Sequence, residues 1–136
     1  MKLAYLDSCI CITRCEGIPE YKAVIDQKLH TLMEAGWIFC ISEMVLLETL
    51  LKPLKHNQTE LVRKYRDLFE TTRMLNNYAE VFQEALQIAQ TENFNVIDAI
   101  HVALATHYDC HLFVSSDPHF RHLRTMTPEW IDLSKN

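Results

Sequence analysis

Four acidic residues, Asp7, Glu48, Asp98 and Asp117, stand in apolar surroundings that carboxylates ordinarily avoid. Asp7 ends the run Leu3-Ala4-Tyr5-Leu6. Asp117 follows Leu112-Phe113-Val114-Ser115-Ser116. Glu48 lies inside Met44-Val45-Leu46-Leu47-Glu48-Thr49-Leu50-Leu51, and Asp98 inside Asn95-Val96-Ile97-Asp98-Ala99-Ile100. Each has an ordinary structural reading. Asp7 could cap a following helix, Asp98 could face a helix dipole, and Asp117 before Pro118 could be a turn residue. Glu48 could share a thin polar stripe with Thr49. Converging, they acquire a chemistry. Two carboxylates 4 Å apart repel by about 4 kcal/mol at an effective dielectric of about 20. Such a group must hold a proton or a cation. With oxygen donors only, the hard ions Mg²⁺ and, as a substitute, Mn²⁺ fit best. An ion so held can bind a phosphodiester and lower the pKa of a bound water, because it inverts the local field.

Positioning these acids requires elements that end at a common edge. Residues 2–6, 37–41 and 111–115 read as short buried strands, and 130–133 as a last one; Met74-Leu75 reads as an edge piece. Ile18-Pro19 opens a helix that Gly36 stops. Ser42 is the expected N-cap of a helix that runs to about Leu51, before Pro53. Apolar residues at helical spacing mark two more helices, one through Leu61, Tyr65, Leu68, Phe69 and Thr72, the other through Tyr78, Val81, Phe82, Ala85, Leu86 and Ala89. Residues 97–108 form an Ala-rich one. Strands alternating with helices predict an α/β class, a three-layer α/β/α sandwich on a parallel sheet. In such sheets ligands bind beyond the carboxyl ends of the strands. The sequence places Asp7 and Asp117 there.

Composition bounds the rest. The chain has 136 residues, enough for one domain, read as spanning 1–136. A net charge of -5 provides no global basic field, so a nucleic-acid role needs local positive charge or a bridging cation. Two glycines leave little material for a Gly-rich phosphate loop. The 5 cysteines, with no signal-like start and no apolar run near the length of a membrane span, point to reduced thiols in the cytoplasm. Cys9, Cys11 and Cys15 lack a CxxC pair, and buried thiols are preferred to a metal site.

At these residues the chain resembles the PIN-domain nucleases, especially VapC-type toxins of bacterial toxin–antitoxin pairs. The matching blocks are Leu6-Asp7-Ser8-Cys9, Ile41-Ser42-Glu43-Met44-Val45-Leu46-Leu47-Glu48, Asp98-Ala99-Ile100-His101-Val102-Ala103-Leu104-Ala105 and Phe113-Val114-Ser115-Ser116-Asp117-Pro118-His119-Phe120. The acid of the second block is Glu48 rather than Glu43. Cys9 replaces the family's common Asn, and Ser115 its usual Thr. The resemblance implies a five-stranded parallel sheet, Mg²⁺-dependent endoribonuclease activity, a tendency to homodimerise and a co-encoded antitoxin.

On this reading Asp7, Glu48 and Asp98 bind the principal ion and Asp117 completes the cluster, with one or two ions left open. Ser8 and Ser115 orient carboxylates. His101, three residues after Asp98, is expected to be a satisfied structural histidine that could touch the site. Lys52, Lys55, Arg63, Lys64 and Arg121 are candidate RNA contacts; His56 and Arg66 belong to the same basic stretch, and His119, His122 and Arg124 lie beyond Asp117. Rival readings are a catalytically silent interaction module, a phosphatase, for which position 9 lacks the needed Asp, and a phosphoacceptor, which lacks its Lys near the last strand.

Overall fold

The computed structural model describes residues 1–134. The element order is β1 (Leu3–Leu6), α1 (Ser8–Glu16), α2 (Pro19–Glu34), β2 (Ile38–Ser42), α3 (Glu43–Lys55), α4 (Thr59–Glu70), β3 (Arg73–Leu75), α5 (Val81–Glu92), α6 (Val96–His107), β4 (Leu112–Ser115), a 3₁₀ turn (Pro118–Phe120) and β5 (Thr127–Trp130). All strand pairs are parallel, in the order β3-β2-β1-β4-β5. This is the five-stranded α/β/α sandwich that the sequence predicts.

The order of the strands follows from burial. β1 and β4 are buried along their whole length, as central parallel strands covered on both faces must be. Ala4, Tyr5, Leu6, Phe113 and Val114 are fully buried. The more exposed strands β3 and β5 take the two edges, where exposure is tolerated. Leading away from β1 in both directions, the topology reverses between β1 and β4. A crevice therefore opens at their carboxyl ends. The backbones meet there: the Asp7 N–H donates to the Val114 carbonyl at 3.0 Å.

Two of the boundaries that differ from the sequence reading bear on the packing. α3 continues to Lys55 with a buried Pro53 inside it, instead of ending near Leu51. Proline sits in the last turn, where it removes one helical hydrogen bond and gains full burial in return. The last strand is Thr127–Trp130 rather than 130–133, and Ile131 follows it with a backbone bond to Ser115 at 2.8 Å. Gly36 supplies the positive φ of 91° that turns α2 into β2.

Candidate functional site

Asp7 leaves β1 as the N-cap of α1, one carboxylate oxygen accepting the Ser8 N–H at 2.9 Å. Its other oxygen accepts the Ser115 hydroxyl at 2.8 Å and the Cys9 thiol at 3.4 Å. Strands β1 and β4 are thus tied side chain to side chain. The Ser115 hydroxyl also accepts the Asp117 N–H at 3.0 Å, so one serine positions two of the acids. Serine in place of threonine keeps that bond. Cys9 takes over a positioning task as well, since its sulfur accepts from the Ser116 N–H at 3.4 Å. Burial, and then the charge of Asp7, push the Cys9 thiol up to about 11, which keeps it protonated and able to donate.

Glu48 projects from α3 toward the start of α1. It accepts the Ser8 hydroxyl at 2.6 Å and the His101 Nε2 proton at 2.5 Å. His101, from α6, is buried and lies 3.8 Å from Asp7. Its Nδ1 meets the Tyr5 hydroxyl at 2.6 Å, and Tyr5 in turn meets the Ser42 hydroxyl at 2.7 Å. With the protons assigned along the line, Ser42 donates to Tyr5, Tyr5 to Nδ1, and Nε2 to Glu48. Ser42 does stand at the N-cap position of α3, but its hydroxyl makes no cap bond and serves this buried line. Glu43, the other acid of the block, points away and accepts the Asn77 N–H.

Asp98 lies in the first turn of α6, its own N–H capped by the Asn95 side chain at 2.8 Å. Asp117 caps the 3₁₀ turn by accepting the His119 N–H at 2.9 Å. His119 joins the two acids: its Nδ1 is 3.1 Å from Asp98 and 3.5 Å from Asp117. Among the described residues, Asp98, Asp117 and His119 are the group of three donors close enough together to hold a metal ion. The quartet therefore gathers as two pairs, Asp7 with Glu48 through Ser8 and His101, and Asp98 with Asp117 through His119. Ser115 links the pairs. Every one of these acids also has the capping or hydrogen-bonding duty of an ordinary structural residue.

The electrostatics fit a cation. Burial pushes the Asp7 carboxyl above its usual range, and the neighbouring His101 and the bonds from Ser115, Cys9 and the Ser8 N–H pull it only part of the way back. Burial also raises Asp98; the His119 bond opposes this, and the charges of Asp117 and Asp7 add to it. Glu48 is pushed up by burial too, yet its bonds from His101 and Ser8 prevail and leave it below the usual value. Two raised acids beside two further carboxylates form a set that a hard divalent ion would complete. An open cleft of about 310 Å³, lined by Asn93, Phe94, Asn95, Asp98 and His119 among others, gives access to one side.

The basic candidates are spread over several elements. Lys52 and Lys55 occupy the last turn of α3, and Arg63 pairs with Glu60 at 3.1 Å. Lys64 lines a separate cleft with Arg14 and Lys22. Arg121 stacks over the Trp130 ring at 4.8 Å, and Arg124 bonds to Glu92 and Thr91. Cys11, Cys40 and Cys110 are buried and all 5 thiols are free.

Comparison with known proteins decides the family. The PIN domain model matches residues 4–125. The chain belongs to the PIN domain family. Among solved structures it is similar to VapBC2 from Rickettsia felis bound to a DNA fragment from its promoter, with a TM-score of 0.78 and 15% identity over 96% of this chain and 99% of that one. DNA-bound VapBC from Salmonella typhimurium gives 0.75 and 16%, covering 95% of this chain and 98% of that one. Mycobacterium tuberculosis VapC20, described as a Sarcin-Ricin loop cleaving toxin, gives 0.62 and 10%, covering 81% and 86%. At these identities the likeness is one of fold. No curated protein matches the sequence significantly. PIN membership leaves the phosphatase and phosphoacceptor readings without support.

The Tyr5 line gives a measurable expectation. Tyr5→Phe removes a fully buried hydroxyl and leaves Ser42 and His101 Nδ1 each short of a partner. A loss of about 1–3 kcal/mol of folding stability is expected, read as a lower urea midpoint at unchanged slope. An unchanged midpoint would show that the line is not a structural strut.

Proposed function

We propose that this chain is a single PIN-type nuclease domain, a divalent-metal-dependent endoribonuclease and the toxin of a toxin–antitoxin pair. What supports the reading, in a member of the PIN family, is that Ser115 links Asp7 to Asp117 at the reversal point between β1 and β4, Glu48 is tied in through Ser8 and His101, and Asp98 through His119. Mg²⁺ is the expected ion, with Mn²⁺ as a substitute, held by those four acids. When bound, it supplies positive charge for a phosphodiester and lowers the pKa of water at the scissile phosphorus.

The rest is the work of the chain's own groups. Ser115 and the Ser8 N–H fix both oxygens of Asp7, so its lone pairs face the crevice in one orientation. Ser8 and His101 do the same for Glu48, and the buried line behind His101 stops the imidazole from turning. Such supports typically matter by 10–100-fold in metal affinity or turnover, about the weight assigned here to Ser8 and Ser115. Lys52 and Lys55, one and two turns beyond Glu48 on α3, with Arg63, Lys64 and Arg121, are the positive charges proposed to meet an RNA backbone.

The partner proposals have different support. One structural neighbour, from Klebsiella pneumoniae, is described as a toxin–antitoxin complex and two others as DNA-bound VapBC, which supports a cognate antitoxin as the partner of this chain. A homodimer is supported by Phe82, Leu86 and Val96, which are about 70% exposed and line one apolar groove with Ala85, Ala89, Ala99 and Ile100. No helix among the described residues is long and apolar enough to cross a membrane, in keeping with the cytoplasmic site of action proposed here.

Purified protein, freed of any bound partner, is expected to cleave labelled RNA internally with Mg²⁺ and to stop on chelation. RNA affinity, measured without turnover in Ca²⁺, is expected to fall steeply as salt rises. Cleavage that persists in chelator would overturn the metal reading, and intact RNA under all metals would favour a silent interaction module.

A further inference from the structure

The sequence reading assigned oxygen donors alone, yet the only three-donor group among the described residues includes a nitrogen. His119 lies two residues beyond Asp117 on the 3₁₀ turn, and its side chain is 63% exposed at the rim of the 310 Å³ cleft. Its backbone N–H and its ring do separate things: the N–H caps Asp117, while Nδ1 turns inward between Asp117 and Asp98. Neighbouring donors on an octahedral ion at about 2.1 Å lie about 3 Å apart. The spacings of Nδ1, 3.1 Å to Asp98 and 3.5 Å to Asp117, already approximate that edge. The other histidine of the site cannot offer the same donor, because both nitrogens of His101 are engaged, one by Tyr5 and one by Glu48.

We propose that His119 is itself a metal ligand, and that with Asp98 and Asp117 it forms a mixed nitrogen–oxygen site favouring a first-row transition-metal ion, Mn²⁺ included, over Mg²⁺. The inference rests on the metal-site reading above and changes what that site selects. Mg²⁺ dehydrates reluctantly and favours oxygen, whereas first-row transition-metal ions accept an imidazole nitrogen more readily, Mn²⁺ the least of them. The set of two carboxylates and one imidazole is therefore poorer for Mg²⁺ than a four-carboxylate set would be. The ring is already oriented by its hydrogen bond to Asp98, so little side-chain freedom is lost when an ion replaces that proton contact.

The test uses the full chain and Mn²⁺ alone, read by electron spin-echo modulation from a directly bound nitrogen and by competition with Mg²⁺. Wild type is expected to show nitrogen coupling. His119→Gln, a surface substitution that leaves the backbone cap intact, is expected to lose the coupling and to lower the Mn²⁺ over Mg²⁺ preference by about tenfold or more. Mn²⁺ bound without nitrogen coupling, coupling that persists in His119→Gln, or an unchanged preference would each overturn this inference while leaving the four-acid reading standing. Failure of wild type to bind Mn²⁺ or Mg²⁺ at all would overturn both.

Discussion

Asp98→Asn is expected to reduce RNA cleavage by well over a hundredfold and, in metal-free buffer, to unfold at a higher temperature than wild type. Loss of an outer partner of a metal ligand alone costs 10–100-fold, so removing a charged ligand should cost more. The gain in stability has a separate cause. Asp98 is buried beside Asp117 and Asp7, and its carboxyl is held above the ordinary range. A group raised on folding binds its proton more tightly in the folded state, so wild-type stability declines as pH climbs past the usual carboxylate range. The deficit is complete above the folded pKa and absent below the unfolded one. Asparagine removes it. The difference in melting temperature between variant and wild type should therefore be largest at neutral pH and close as pH falls below the ordinary aspartate range. Asp7→Asn should behave alike, since burial raises Asp7 too. A variant that is inactive but less stable at neutral pH would show a supporting role rather than a repelled cluster.

The parts legible in the sequence are those whose physics is local. Central parallel strands are short apolar runs, and an acid directly after such a run has to lie at the sheet's carboxyl edge; Asp7 and Asp117 were readable for that reason. Edge strands are harder. β5 reads Thr-Pro-Glu-Trp and is nowhere fully buried, so no periodicity marks it and the sequence put it several residues late. α1 was visible only as a helix Asp7 could cap, because Ile10, Cys11 and Ile12 are consecutive and carry no helical spacing. Pro53 misled through its usual meaning. Its cost is small in a last turn that buries the ring. The histidines divide in the same manner. His101 had a usable signal: a polar residue inside a helix buried from Asp98 to Ala105 must have partners, and it turned out to be satisfied and at the site together. His119 was visible only as a residue just beyond Asp117, since its nearness to Asp98 depends on a contact across 21 residues.

Adding a divalent ion should invert the order of stability that its absence creates. An ion that binds the folded chain and not the unfolded one stabilises by RT ln(1 + [L]/Kd), about 2.7 kcal/mol at a hundred times Kd. For a chain of 136 residues that corresponds to a rise of about 10 °C in melting temperature. Wild type gains it in full because the ion neutralises the same repulsion that weakens the metal-free fold. Asp98→Asn has lost both the repulsion and a donor that lies within 4.8 Å of its partners Asp117 and His119. It should start higher and gain little, so that wild type overtakes it as Mg²⁺ or Mn²⁺ is titrated in. The crossing falls where RT ln(1 + [L]/Kd) equals the metal-free stability gap, so gap and crossing concentration together give the wild-type dissociation constant without any substrate. If both proteins rose in parallel, the ion would be binding elsewhere, and the gathered acids would be a feature of capping and packing alone.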